Sequence, residues 1–289
     1  MTGLVEPVAS APAATPRRKS RSRRASTIQL PAARFELGVV PVDRVETVAA
    51  ECPVALVYNG VSHAVMMATP ADLEEFGIGF SLAEGIVADA SEILSVEVLD
   101  MALGLELRIE IPDARAAALD DRRRSMAGGT ACGLCGIISI ERAIRTLPHL
   151  PDGAPVKATA IFEALQRLPL EQVTNRTTGA AHAAAMATAD GTILLTREDV
   201  GRHNALDKLV GAVARVGADP ASGFLLLTSR CSTEMVQKAA TAGFPILVAI
   251  SAPTSLAVAL AEEAGLCLVA FARGKGFTVY TRRDRIEAA

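Results

Sequence analysis

Apolar and polar positions follow two rhythms along this chain, and they change near its middle. Short Val-rich stretches between Val45 and Tyr58 stop at Asn59-Gly60 and resume over Val61–Met67, which predicts a β-hairpin turning on Asn-Gly. Pro70-Ala-Asp72 opens a predicted helix carrying Leu73, Phe76, Phe80 and Leu82 at roughly helical spacing. Val96–Leu99 and Leu105–Ile111 read as two more strands, so the first half is mixed α+β. The second half alternates more regularly. Strands are predicted at Thr192–Thr196, Phe224–Thr228, Pro245–Ile250, Leu266–Ala270 and Phe277–Thr281. Helices are predicted at Val200–Val213, with Asp199 as its N-cap, at Thr233–Ala242 and at Thr254–Ala264. Strand-helix-strand order with short links implies parallel strands joined by right-handed crossovers. No repeat of fixed period runs through the chain.

That topology locates a site, because ligands of open α/β sheets sit beyond the carboxyl ends of the strands. Four polar clusters fall there: Arg197-Glu198-Asp199, Ser229-Arg230, Ser251-Ala252-Pro253-Thr254 and Arg273-Gly274-Lys275-Gly276. Caps and turns account for Asp199 and Thr254. Arginines at three of the four ends point to a phosphate-bearing ligand.

Composition narrows the classes. The 289 residues are 50% hydrophobic and 21% charged, an ordinary soluble balance with a core-forming length. Trp is absent and Tyr occurs twice, which argues against stacking platforms for single-stranded nucleic acid. The net charge of -3 is unevenly spread. Residues 1–30 hold six basic residues and one acid, leaving 23 bases and 31 acids in the remainder, a net charge of -8. A polyanionic ligand therefore needs a local basic pocket. The Ala/Pro/Ser/Arg-rich tail predicts a solvated, unstructured arm. Its Arg pairs resemble a twin-Arg export signal, but no apolar region follows them. The uncharged run Ala242–Ala261 has the length of a membrane span, yet Gly243, Pro245, Ser251 and Pro253 divide it into strand, turn and helix. Five cysteines and no secretory signal predict a cytoplasmic protein whose notable thiols are reactive or metal-bound.

Ala131-Cys132-Gly133-Leu134-Cys135-Gly136 is the sharpest local signal. Arg122-Arg123-Arg124 and a mobile-looking Ser125–Thr130 precede it, and Ile137–Leu147 reads as a helix after it. A cysteine near a helix N-terminus and arginines has its pKa lowered, giving a thiolate at neutral pH. Three readings stay open. Structural zinc needs four ligands, and no second Cys-x-x-Cys or close Cys/His pair completes the set. Thioredoxin-like redox chemistry expects a strand before the motif, where a Gly-rich segment stands. A sulfur-handling nucleophile needs an accessible low-pKa thiol. Cys52, Cys231 and Cys267 lie in or beside apolar strands and read as packing residues.

Arg197–Lys208 is dense in titratable groups, and helical spacing puts His203 on one face with Asp199 and Asp207, a setting that favours its charged form. His182, after the small-residue turn Thr177–Ala181, reads as a core histidine. Two tempting motifs fail. Zinc deaminases carry His-x-Glu before Pro-Cys-x-x-Cys, but here Ala183-Ala184 follows His182 and the cysteine pair comes earlier. Gly274-Lys-Gly276 lacks the rest of a phosphate-binding loop.

Together, Cys132–Gly136, Thr178–His182, Arg197–Lys208, Ser229–Lys238, Pro245–Thr254 and Phe271–Gly276 resemble the formate dehydrogenase accessory sulfurtransferase family, FdhD. The resemblance implies a cytosolic sulfur carrier, an enzyme of the sulfurtransferase class. Such a protein accepts sulfur from a cysteine desulfurase as a cysteine persulfide. It passes the sulfur to the molybdenum cofactor, in its bis-molybdopterin guanine dinucleotide form, before insertion into the formate dehydrogenase catalytic subunit. Cys132 is then the persulfide residue and Cys135 its assistant. Phe271, Ala272, Arg273, Gly274, Lys275 and Gly276 bind the cofactor, with His182, Arg202, His203, Ser229, Arg230 and Ser251 as further candidates. No permanently bound cofactor or metal is expected. GDP is the analogue ligand, and a homodimer that binds neither nucleic acid nor membrane is implied.

The expected fold class is α/β in three stretches. Residues 1–30 are a disordered basic tail, and 31–150 an N-terminal α+β domain with the CGLCG loop. Residues 151–289 form a C-terminal α/β domain that is cytidine-deaminase-like but lacks the deaminase zinc site. The alternatives are a cofactor-binding chaperone without sulfur transfer and a zinc-stabilised binding module. One departure stands out: the family pattern has Gly-Gly before the histidine, and here the second is Ala180, which distorts the turn if that position needs positive φ.

Overall fold

The computed structural model describes residues 24–127 and 145–288. Strands β1 (Thr27–Glu36) and β2 (Val39–Ala49) pair as an antiparallel two-stranded ribbon. This ribbon begins inside the stretch 1–30 expected to be unstructured. Thr27 pairs with Ala49, the Ser26 carbonyl accepts from the Ala50 amide at 2.8 Å, and Arg24 meets Asp100 at 2.7 Å. Composition predicted a solvated arm, but backbone pairing and one ion pair order its last residues.

Strands β3 (Cys52–Tyr58), β4 (Val61–Ala68), β5 (Ser95–Met101) and β6 (Gly104–Glu110) form a sheet in the order β4-β3-β6-β5. The expected Asn-Gly hairpin joins β3 to β4, with Asn59 at φ 46° and Gly60 at φ 81°. Positive φ at both central residues matches the twist of the flanking strands. Helix α1 (Leu73–Ala83) lays Phe76 and Phe80 on Val54, Leu56, Leu107 and Ile109 of this sheet. Helix α2 (Asp113–Ala127) runs on through Ser125–Ala127, where a mobile segment was expected.

The second sheet is three-layered. Strand β7 (Val156–Lys157) leads into helix α3 (Ala158–Glu171) and helix α4 (Val173–Thr178). Then follow β8 (His182–Thr188), β9 (Ile193–Asp199), helix α5 (Arg202–Val216) and β10 (Gly223–Leu227). Helix α6 (Thr233–Thr241), β11 (Ile246–Ala249), helix α7 (Ser255–Glu263), β12 (Cys267–Arg273) and β13 (Gly276–Val279) complete it. The strand order is β13-β12-β11-β10-β8-β9. Strands β10, β11 and β12 pair in parallel; β8 pairs antiparallel with both β10 and β9, so β9 runs in their direction, and β13 pairs antiparallel with β12. The strands linked through α5, α6 and α7 thus run parallel as expected, and the sheet is mixed because β8, a strand the sequence did not reveal, lies antiparallel between β10 and β9. The fold class is mixed α/β.

Alternation within the central strands explains the layers. Leu225, Leu227, Leu247, Ala249, Leu268 and Ala270 face α5, α6 and α7. Phe224, Leu226, Ile246, Val248, Cys267 and Val269 face α3 with its Ile161, Ala164 and Leu168. Ala242–Ala261 divides into turn, strand, loop and helix. No helix among the described residues is long and apolar enough to cross a membrane.

The two sheets are joined where α1 crosses α5. A Cβ on Gly79 would lie 1.7 Å from the Asp207 carbonyl oxygen, and one on Gly211 would lie 1.9 Å from that of Glu75. The helices touch backbone to backbone, and only glycine permits that approach. Arg197 reaches across the same junction to Glu75, its Nη2 lying 2.9 Å from Oε1.

Candidate functional site

Register builds the site. Because β8 runs antiparallel to β10, its first residue His182 lies at the carboxyl end of β10, paired with Asp199 on its other side. The Ala183 amide donates to Thr228 Oγ1 at 2.8 Å, and the Thr228 amide returns to the Ala183 carbonyl at 3.1 Å. The chain then turns through buried Ser229 and exposed Arg230. The Ser229 hydroxyl donates to the Arg230 carbonyl at 2.9 Å, which fixes the turn. On the neighbouring strand the Ser251 carbonyl accepts from the Phe271 amide at 3.1 Å. Thus His182, Ser229, Arg230, Ser251 and Phe271 share one edge, with Arg202 and His203 in the first turn of α5 beside them. From β12 to β8 is three inter-strand steps, about 14 Å at the usual spacing.

The segment Phe271–Gly276 closes β12 and opens β13 through a tight turn in which Arg273 pairs with Gly276. Phe271 sits at φ 52° at a bulge, and Gly274 at φ 61°. A non-glycine residue in the left-handed region is strained unless its surroundings over-determine it, and such strain clusters at ligand sites. Phe271, Arg273 and Lys275 are exposed. Ala272 instead turns into the core beneath α3, so it offers a ligand backbone rather than side chain.

The dense segment Arg197–Lys208 has a different layout from the expected one. Asp199 does not cap α5; that position belongs to Gly201. Its buried carboxylate ends β9 and accepts from the Thr69 amide at 2.9 Å, the Gly201 amide at 2.8 Å and Lys208 Nζ at 2.6 Å. Lys208 is itself fully buried and also donates to the Thr69 carbonyl at 2.9 Å. Asn204 Nδ2 adds a bond to the Met67 carbonyl at 2.8 Å. Glu198 accepts from the Thr174 and Asn175 amides at 2.7 and 2.8 Å, satisfying the first turn of α4. Arg197, Glu198, Asp199, Asn204 and Lys208 therefore hold the two sheets and α4 together.

His203 is not held between Asp199 and Asp207. Its Nε2 lies 2.6 Å from Oε2 of Glu234, in the first turn of α6. The bond to His203 holds the Glu234 carboxyl below its usual range. Burial, then the charges of Arg202 and His203, push the His182 imidazole below its usual value, so it stays neutral at pH 7. Two buried polar atoms beside this edge have no hydrogen-bond partner: Arg202 Nε and Oγ of Ser232, the N-cap residue of α6, whose side chain makes no capping bond. Such orphaned donors are free to meet a ligand. Glu234 carried no recognisable sequence signal, since its partner is 31 positions away.

The turn before His182 tolerates Ala180. Gly179, at φ 66°, takes the left-handed position, and the exposed Ala180 lies outside that region, its amide donating to Thr178 Oγ1 at 3.2 Å. Burial pushes the thiols of Cys231 and Cys267 up to about 12, and raises that of the half-buried Cys52, which suits packing rather than chemistry. Among the described residues no group of three His, Cys, Asp or Glu side chains is placed to hold a metal. Cys132, Cys135 and most of the helix expected over Ile137–Leu147 lie outside the described residues, as does the basic tail before Arg24.

Comparison with known proteins bears on the same regions. The pattern of the FdhD/NarQ family matches residues 49–287. A protein of Xanthomonas euvesicatoria pv. vesicatoria, named sulfur carrier protein FdhD, is 52% identical over 242 residues, 84% of this chain and 86% of its own. One of the same name from Bordetella petrii is 48% identical over 241 residues, 83% of this chain and 87% of its own. A crystal structure described as a formate dehydrogenase accessory protein, from Desulfotalea psychrophila, superposes with a TM-score of 0.70 at 26% identity. It covers 91% of this chain and 100% of that one. With the family pattern spanning both sheets and the strand-end site, this chain belongs to the FdhD/NarQ family.

Proposed function

We propose that this chain is a cytoplasmic sulfurtransferase that serves formate dehydrogenase, taking sulfur from a cysteine desulfurase and delivering it to the molybdenum cofactor. The observation that carries this reading is the row of cationic and hydroxyl groups along the strand ends of an otherwise acidic chain. Arg202, Ser229, Arg230, Ser251, Arg273 and Lys275, with the neutral His182 beside them, line a span long enough for a guanine dinucleotide arm. Relatives named as sulfur carriers support the first half of the reaction.

In the first step the Cys132 thiolate attacks the outer sulfur of the desulfurase persulfide. A sulfur–sulfur bond forms on Cys132, and the desulfurase cysteine leaves as its thiolate, with no net redox change. In the second, the Cys135 thiolate attacks Cys132, and the outer sulfur leaves at the reduced sulfide level. The two cysteines are oxidised to a disulfide, which an external thiol reduces before the next cycle. Arginine and lysine side chains and the backbone amides around Gly274 hold the pyrophosphates of the cofactor, which enters as substrate. The second domain is read as a cytidine-deaminase-like unit that has given up the zinc set, and the working form as a homodimer.

Intact mass after incubation with a desulfurase and cysteine tests the carrier role: wild type gains about 32 Da, one sulfur atom, and Cys132→Ala does not. Normal formate dehydrogenase maturation by Cys132→Ala overturns the persulfide assignment. Calorimetry with GDP tests the cofactor site. Arg273→Ala loses about 10- to 150-fold in affinity if charge-assisted bonds of about 1.5–3 kcal/mol are removed. Tight GDP binding with no sulfur adduct leaves a cofactor chaperone instead.

A further inference from the structure

The ribbon of β1 and β2 is held at its root and bare beyond it. At the root Thr174 Oγ1 of α4 donates to the Ser26 hydroxyl at 3.1 Å, and Glu46–Ala49 are half-buried. From Ile28 to Val45 every residue is exposed. Register and alternation put Ile28, Leu30 and Val42 on one face and Phe35 and Val45 on the other, with Leu37 at the tip. An antiparallel pair with one face in water sorts its apolar residues to the opposite face. This ribbon carries them on both. A two-stranded ribbon alone is marginal in water and gains stability only by packing against something else.

Its charges and edges narrow what that something is. Both arginines of the ribbon are bound to ribbon carboxylates, Arg34 to Glu36 at 2.6 Å and Arg44 to Glu46. No lysine lies between Thr27 and Ala49, so the ribbon has no spare cation for a phosphate backbone or lipid headgroup. Each strand also carries a proline, Pro31 in β1 and Pro41 in β2. Proline blocks the addition of a further strand along an edge, which leaves the two faces as the surfaces to be covered.

The eight large apolar residues from Ile28 to Val45 expose about 900 Å², close to the 800 Å² or so that each partner gives to a standard protein interface. A client met only during delivery leaves that surface bare between encounters, whereas a second copy of the chain covers it throughout. Twofold association also closes on itself, so it hides the ribbon without building a fibre.

We propose that the β1–β2 ribbon is the arm by which two copies of this chain associate, each ribbon packed face-on against the other copy. The inference goes beyond the sulfur-carrier reading: it gives the homodimer a surface, and residues 27–48 of that surface lie outside the span 49–287 matched by the family pattern.

Sedimentation equilibrium of the full chain as wild type, Phe35→Glu/Val40→Glu and Leu103→Glu tests it. Leu103, at the turn between β5 and β6, is 89% exposed, against 76% for Phe35 and 80% for Val40, and controls for loss of an exposed apolar group elsewhere. Exposed positions carry little of the fold's stability, so all three proteins are expected to melt alike. Wild type and Leu103→Glu are expected to be dimers. In the double variant the dissociation constant rises about a hundredfold or more, because twofold symmetry counts each substitution twice. A double variant as dimeric as wild type overturns the ribbon as the interface, and so does equal dissociation of Leu103→Glu. A wild type that stays monomeric up to about 100 μM also overturns it and leaves the ribbon to a different protein. Failure of a dimeric wild type to take up sulfur refutes the carrier reading alone, so the two failures are distinguishable.

Discussion

Replacing Gly79 by Ala sets two effects of opposite sign against each other. Helix propensity alone favours Ala over Gly by about 1 kcal/mol in a helix interior. The junction of α1 and α5 opposes it. The added Cβ would fall 1.7 Å from the Asp207 carbonyl oxygen and 2.6 Å from the Gly211 amide nitrogen, both backbone atoms that no rotamer change can move. Reaching ordinary contact, near 3.5 Å, requires the helices to part by about 1.8 Å or more. That separation also strains the bond of Arg197 to Glu75, which ties α1 to the second sheet. Overpacking of this kind costs about 1–3 kcal/mol, and the backbone contact puts it at the upper end. Less the propensity gain of about 1 kcal/mol, the net loss is about 2 kcal/mol, and at about 2–4 °C per kcal/mol for a protein near this size Tm falls by about 4–8 °C.

Gly77 on the same helix is the internal control. The nearest atoms to a Cβ there are side-chain carbons: Ile109 Cδ1 and Val96 Cγ1 at 3.3 Å and Ile109 Cγ1 at 3.6 Å. Gly77→Ala is expected to melt at or slightly above wild type. Thermal unfolding by circular dichroism on the three proteins decides the matter. If Gly79→Ala melts no lower than Gly77→Ala, the backbone contact between α1 and α5 is refuted as the joint between the sheets.

Two further outcomes follow from buried groups. Lys208→Met leaves the Asp199 carboxylate buried without its cation and is expected to cost about 3–5 kcal/mol in urea unfolding; a loss under about 1 kcal/mol contradicts the ion pair. His182 has its pKa lowered by burial and by Arg202 and His203 from the ordinary 6.5. On acidification the unfolded chain therefore protonates first, and the stability this group contributes above pH 6.5 is lost as pH falls through the window beneath it. Melting curves from about pH 7 to about pH 5 should fall less steeply for His182→Gln than for wild type, and identical slopes count against a neutral His182.

Particular residues show what the sequence could and could not disclose. Asn59-Gly60 announced its hairpin because few pairs of residues accept positive φ in succession. The run Phe224–Thr228 disclosed a central strand because both of its faces are buried. Strand β8 escaped notice because its buried residues, apart from Met186, are alanines, and alanine carries little strand propensity. Burial between β10 and β9 makes it a strand, and only the assembled sheet supplies that. Helix α3 was hidden in a similar way, with Pro169 inside it arguing against a helix. Asp199 was misjudged for a physical reason: an Asp just before a helical stretch has the same local signature whether it caps the helix or turns inward to meet a lysine one or two turns on. Choosing between these needs the Thr69 amide, 130 positions away.

The same distinction governs how the strand-end site should be probed. Arg197–Lys208 looks like one chemical motif, yet its charges separate by direction. Arg197, Asp199, Asn204 and Lys208 face the first sheet, and Glu198 faces α4, each with its hydrogen bonds met by protein. Arg202 and His203 face the other way, one with an unmet donor and the other tied to Glu234. Loss of activity on changing Asp199 or Lys208 therefore reports a broken joint, and it comes with a lower Tm. Loss on changing Arg202 with Tm retained reports ligand contact. Because α5 carries Asn204 and Lys208 of the joint and Arg202 and His203 of the pocket within two turns, joint and pocket are aligned by one rigid element.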